Sequence, residues 1–274
     1  MIKWLDHNFK LRREGINQMS TDEKKTTIIA LVGKGGVGKT SLSALMVRLL
    51  AEAHPDKKIL AIDADPAVGL STALGVDVAS TVDDIRKSFV ETVEDGNTNA
   101  AIELLGEAKY QMFDALVELD NMSFLAIGRP ESAGCYCKVN AYLKEIISSI
   151  ADHFDYVVID GEAGIEQVNR RVMEKVTHLV LVSDASRKGL QVVQTIHKVA
   201  EDLVMFDESG LIVNRIPDMS YRDSLDTGDL RVLACIPDDR AMALGDMNGD
   251  SVFDLPDDAA IVLGAKEALA KLGI

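Results

Sequence analysis

Cysteine is scarce in this chain: three residues in 274, and an odd number. That excludes the disulfide framework of a small secreted domain and makes a reduced, cytoplasmic protein the expectation. Basic residues are also in deficit, 29 Lys and Arg against 44 Asp and Glu, for a formal net charge of −15. A surface of that sign repels DNA, RNA and anionic lipid, so neither nucleic acid nor membrane is an expected partner without a local basic patch. Long apolar runs are missing too. Stretches such as Leu179–Val182 fall far short of the ~20 residues needed to cross a bilayer. The opening residues, MIKWLDHNFKLRR, lack the continuous apolar segment of a signal peptide. What is present is an ordinary globular composition, 47% apolar and 27% charged. The length suits one large α/β domain or two small ones, with a core that needs no staples.

Residues 1–25 stand apart as a mildly basic, weakly patterned extension. Ile2, Leu5 and Phe9 fall on one helical stripe that would dock on the body or on a partner. The alternative is a start codon placed too early, with Met19 as the initiator. From Thr26 onward the pattern is regular and reads as one domain, 26–274. Apolar, β-branched runs at Thr27–Gly33, Lys58–Ile62, Ser123–Ile127, Tyr156–Ile159, His178–Ser183, Leu211–Asn214 and Val232–Ile236 read as strands. Amphipathic spacing fills the gaps, clearest at Val139, Tyr142, Leu143, Ile146, Ile147 and Ile150. Near-continuous apolar strands alternating with such helices predict an α/β fold, a mostly parallel central sheet covered on both faces. The stretch Ser80–Asn121 reads as helical, without a strand, and forms an insertion after the second strand on one edge.

Gly33-Lys34-Gly35-Gly36-Val37-Gly38-Lys39-Thr40 satisfies G-x-x-x-x-G-K-[ST] in full, between a predicted strand and a predicted helix. Phosphate oxygens need backbone N–H donors turned inward, and glycine lets the chain wrap closely enough to supply them. Lys39 reaches the β- and γ-phosphates of ATP, Thr40 ligates Mg²⁺, and Ser41 opens the helix whose positive end faces the anion. Lys34, directly after the first glycine, gives K-G-G-V-G-K-T. That resembles the deviant Walker A motif of the MinD/ParA/nitrogenase iron protein group of ATPases. The resemblance implies two chains dimerising around ATP, with Lys34 reaching the partner's phosphates.

Further landmarks of that group follow in order. By resemblance, Asp65 in Ile62-Asp63-Ala64-Asp65-Pro66 positions the attacking water, and Asp63 supports Mg²⁺. Phosphoryl transfer asks for positioning and charge neutralisation more than a strong base, so carboxylates at strand ends suit it. Asp160 ends the apolar strand Val157-Val158-Ile159 in the Walker B arrangement, and Gly164 stands where a switch glycine meets the γ-phosphate. Asn214 stands where an asparagine bonds adenine, and Pro237 in the loop that closes over the base.

Gly134-Cys135-Tyr136-Cys137 is the other informative feature. In extended chain, i and i+2 side chains share a side, so both thiols can meet one soft ion, Zn²⁺ or Ni²⁺. Structural zinc wants four ligands, and Cys235, in a predicted interior strand, is a bystander. Two cysteines per chain doubled by a two-fold axis complete the set. The wider segment from Gly128 to Asn140 and Glu162-Ala163-Gly164-Ile165-Glu166 resemble the CooC-type accessory ATPases that mature the nickel site of carbon monoxide dehydrogenase. Gln167 and the N-terminal extension depart from that pattern. The resemblance implies an ATP-dependent homodimer that serves a client metalloenzyme through a shared cysteine site. A spatial-organisation ATPase of the MinD/ParA kind and an iron–sulfur ATPase like the nitrogenase iron protein are the alternatives. Oxygen-bearing residues from Asp246 to Asp257 imitate a calcium loop. Ser251 occupies its turn position, and an acidic surface loop is the better reading.

Overall fold

The computed structural model describes residues 26–65, 69–94, 107–128, 137–162, 164–165, 168–169 and 172–274. The N-terminal extension lies outside them. Among the described residues, eight strands form one sheet: β1 (Thr27–Gly33), β2 (Ile59–Asp63), β3 (Val117–Leu119), β4 (Met122–Ala126), β5 (Tyr156–Asp160), β6 (His178–Asp184), β7 (Glu208–Ile216) and β8 (Val232–Pro237). Their spatial order is β3-β4-β2-β5-β1-β6-β7-β8. Every neighbouring pair is parallel except β3 and β4, which run antiparallel.

Alternation along each strand sends side chains to both faces, and both are buried. Ile29 and Leu31 pack with α1 (Lys39–Ala53), α2 (Gly69–Leu74) and α7 (Ala260–Leu272) on one side. Ala30 and Val32 face the other side, covered by α3 (Val82–Glu94), α4 (Cys137–Ala151) and α5 (Arg187–Leu203). Burial on both faces is why these strands read as unbroken apolar runs. α6 (Arg240–Asn248) follows β8.

Two expectations need correcting. The Ser80–Asn121 stretch does contain a strand, β3, which pairs Val117 with Phe124 and Leu119 with Met122. Three residues long and partly exposed, it has too little apolar pattern to announce itself. And β8, which carries Cys235, is an edge strand rather than an interior one. It reads as buried because α7 lies against it, with Gly264 so close that an added Cβ would fall 2.4 Å from Ile236.

The calcium-like loop is used for something else. α6 runs through Asp246 to Asn248, Ser251 caps a short 3₁₀ turn (Val252–Asp254), and Asp257 takes an ion pair from Arg48 at 2.7 Å. Arg48 is buried to 5% exposure and also donates to the carbonyls of Val252 and Leu255, both at 2.9 Å. One guanidinium thus ties α1 to the segment before α7. Arg48→Ala would leave those carbonyls without a donor, at a cost of about 2–4 kcal/mol. Thermal unfolding should shift down by roughly 5–15 °C; a shift within about 2 °C would show that these bonds contribute nothing net.

Candidate functional site: a phosphate loop over paired carboxylates

Sequence and fold meet at the C-terminal ends of the strands around β1. The chain leaves β1 at Gly33, turns through Gly36 and Gly38 at φ 77° and 90°, and enters α1 at Lys39. Gly38 is the helix N-cap and carries no side-chain cap, so the first-turn N–H groups stay open to an anion. A cavity of about 460 Å³ lies over this loop, bounded by the glycines and by Lys39, Thr40, Asp65, Glu162 and Arg215. Lys39 is 7% exposed, and its Nζ donates to the Lys34 carbonyl at 3.3 Å. Burial pulls its pKa down, while the carboxylates of Asp160, Asp65 and Glu162 work the other way.

Below the loop two carboxylates sit side by side. Asp63 and Asp160 end neighbouring strands, pair in register, and are both fully buried. Asp63 accepts N–H bonds from Asp65 at 3.1 Å and Leu70 at 2.9 Å. Burial and then the charge of Asp160 push its pKa up to about 7. Asp160 is pushed up to about 6 by burial, against hydrogen bonds from Thr40 and Ser43. Its Oδ1 takes the Ser43 hydroxyl at 2.9 Å, whereas its Oδ2 is buried without a hydrogen-bond partner. The orphaned, buried Oδ2 of Asp160 is chemistry that asks for a cation. Mg²⁺ fits: Thr40 and Asp160 are hard oxygen donors, and the ion would offset the charge that burial opposes. Gly164 lies just beyond β5, partly exposed.

Asp184 and Ser43 are among the residues of the site that escaped sequence reasoning. Lys34 is not a free loop lysine: its Nζ donates to Asp184 Oδ2 at 2.6 Å, within the same chain. Asp184 ends β6, and its Oδ1 also accepts from the N–H and hydroxyl of Ser186. Burial raises the Asp184 pKa, but these bonds outweigh it and hold the carboxyl below its ordinary value. Ser43 is the other; it stands one helical turn beyond Lys39, a spacing that could have flagged it.

A second cavity, about 530 Å³, adjoins the loop and is bounded by Gly38, Ser41, Asn214, Met242 and Met247. Asn214 is 2% exposed and donates its amide to the Val37 carbonyl at 2.9 Å. The cavity reaches Asp238 and Asp239, the residues after Pro237, rather than Pro237 itself. Its lining mixes polar and apolar side chains, as small-molecule sites do. A larger groove of about 1060 Å³ lies at the other end of the sheet, bounded by Thr26, Ile28, Lys144 and Met205, away from this chemistry.

The structure leaves the cysteine pair aside. Cys135 lies outside the described residues, and Cys137 is the first residue of α4. Among the described residues no cluster of three or more His, Cys, Asp or Glu could hold a metal, and no helix is long and apolar enough to cross a membrane.

Comparison with known proteins agrees with this geometry. The model of an AAA domain family matches residues 25–206. An ATP-binding protein of Methanocaldococcus jannaschii is 34% identical over 250 residues, covering 89% of this chain and 98% of its own. The carbon monoxide dehydrogenase accessory protein CooC of Rhodospirillum rubrum is 28% identical over 239 residues, covering 83% and 89%. Among solved structures, the septum site-determining protein MinD of Pyrococcus horikoshii, complexed with Mg-ADP, superposes with a TM-score of 0.65. It is 24% identical and covers 90% of this chain and 96% of that one.

Proposed function

Because the chain belongs to the AAA-domain family of P-loop ATPases, we propose that its ATP cycle serves metallocentre maturation, in the manner of a carbon monoxide dehydrogenase accessory protein. The observation that carries this reading is Cys135-Tyr136-Cys137, two thiols with the spacing to grip one soft ion. The match to CooC over most of both chains supports it. In this proposal two chains close around ATP and Mg²⁺, and their cysteine pairs together hold Zn²⁺ or Ni²⁺ as cargo for a client enzyme. Lys39 and Thr40 hold the phosphates and Mg²⁺ in each chain, and Asp65 orients the attacking water. Lys34 crosses to the partner's phosphates, which requires it to leave Asp184.

A membrane-associated role has less support. α7 spends its apolar side on the core: Ile261, Val262, Ala265, Ala268, Leu269 and Leu272 are all buried in the body. Of its large apolar side chains only Leu263 is left exposed, too little for a lipid-facing side.

Metal analysis of purified protein, with and without ATP, is the test. The expected result is about one Zn²⁺ or Ni²⁺ per two chains in the dimer, lost from a Cys135→Ser/Cys137→Ser variant that still binds nucleotide. Metal content and ATP-dependent dimerisation unchanged in that variant would remove the delivery role and leave the ATPase alone.

A further inference from the structure

β7 is irregular where it meets the nucleotide cavities. Its register against β8 runs Val213 to Cys235 and then Ile216 to Pro237, so Asn214 and Arg215 together face Ile236 alone. The extra residue is Arg215, held at φ 56°, one of two non-glycine residues with positive φ among those described. A side chain rarely sits there without a compensating reason.

The consequence is directional. In a regular strand, consecutive side chains point to opposite faces of the sheet. Here both reach the phosphate loop: Asn214 donates to the Val37 carbonyl, and Arg215 Nη1 donates to the Gly36 carbonyl, each at 2.9 Å. A bulge beside a functional site is a known way to re-aim a side chain. In a planar trans peptide the carbonyl and the next N–H point in opposite directions. Drawing the Gly36 carbonyl toward β7 therefore turns the Val37 N–H away from it, and drawing the Val37 carbonyl does the same for Gly38. Those two N–H groups belong to the glycine-rich turn that cradles phosphate.

We infer that Arg215 is a positioning residue for nucleotide binding: through the bulge it fixes the peptide plane after Gly36, presetting the phosphate cradle. Arg215 also lines the cavity over the phosphate loop. The backbone strain at this position is retained for that purpose. The inference rests on the ATPase chemistry of the loop and is independent of the cysteine pair.

Arg215→Gly separates the two contributions, because glycine accepts a positive φ while losing the side chain. The variant should melt at the same temperature as the parent or higher. By calorimetric titration its ADP affinity should fall about 10-fold, the worth of one charge-assisted hydrogen bond. Adenosine, which lacks phosphates, should bind unchanged when measured by competition. In turnover, KM for ATP should rise while kcat at saturation holds. Arg215→Lys, still able to donate to the Gly36 carbonyl, should recover part of the ADP affinity. If Arg215→Gly binds ADP as the parent does, or loses adenosine by the same factor, Arg215 does not preset the cradle.

Discussion

Gly33→Ala is expected to leave little folded protein. An alanine Cβ at this position would stand 2.0 Å from the Val182 carbonyl oxygen and 3.0 Å from that residue's backbone nitrogen and carbon. Those atoms belong to β6, whose Val182 pairs with Gly33 in register at the centre of the sheet. Nothing flexible is there to yield, and the φ of 150° adds strain of its own. Relief requires parting two central strands, so the cost should exceed about 4 kcal/mol, a large share of the stability of an ordinary domain. Soluble yield should collapse, or the melting midpoint fall by at least ~10 °C. Gly35→Ala, where an added methyl meets nothing within 4 Å, is the control and should melt like the parent. Equal melting of both variants would mean that the close approach of β1 and β6 is not a constraint.

Asp160→Asn should separate stability from activity in opposite directions. The amide keeps the shape of the side chain but removes one of two adjoining buried charges, leaving Asp63 without its repelling neighbour. In the absence of nucleotide and Mg²⁺, the variant should be more stable by about 1–3 kcal/mol, since desolvated like charges oppose folding. ATP hydrolysis should drop, by ~10- to 100-fold at least if Asp160 holds the ion. The extra stability that Mg²⁺ gives an ADP complex should be smaller than in the parent. A variant that is both less stable when free of ligand and fully active would contradict the charge-conflict picture of this site. Melting curves with chelator and with Mg²⁺-ADP, beside a phosphate-release assay, decide it.

Much of this site was legible in the sequence because its components are local. A strand, a glycine-rich turn and a helix follow one another from Thr27 to Ala53, and the loop motif spans only the join. Asp63 and Asp160 each end an apolar run, which marks the position without any knowledge of partners. The unread parts are non-local or too short to carry a pattern. Lys34 and Asp184 are 150 residues apart in the chain, and no spacing rule links them. Arg48 looks like an ordinary surface residue of an amphipathic helix until the turn near Val252 folds over it. The bulge at Arg215 is a one-residue irregularity inside an apolar strand, invisible to a period-two pattern. β3 offers three residues of which two are exposed.

The position of β1 in the sheet order has a consequence for how such a site can change. On one flank, β2 and β5 deliver the buried carboxylates Asp63 and Asp160, with Asp65 just beyond β2. On the other, β6, β7 and β8 deliver Asp184, Asn214, Arg215 and the edge of the second cavity. The phosphate loop is the seam between them, tied to the second flank by the Lys34–Asp184 pair and by the bonds from Asn214 and Arg215. In the proposed mechanism, water positioning sits on the first flank and base recognition on the second, so substitutions on either flank are expected to change one more than the other. A family built on this plan can keep a common chemical step and still diversify in how tightly, and for how long, each member retains its nucleotide.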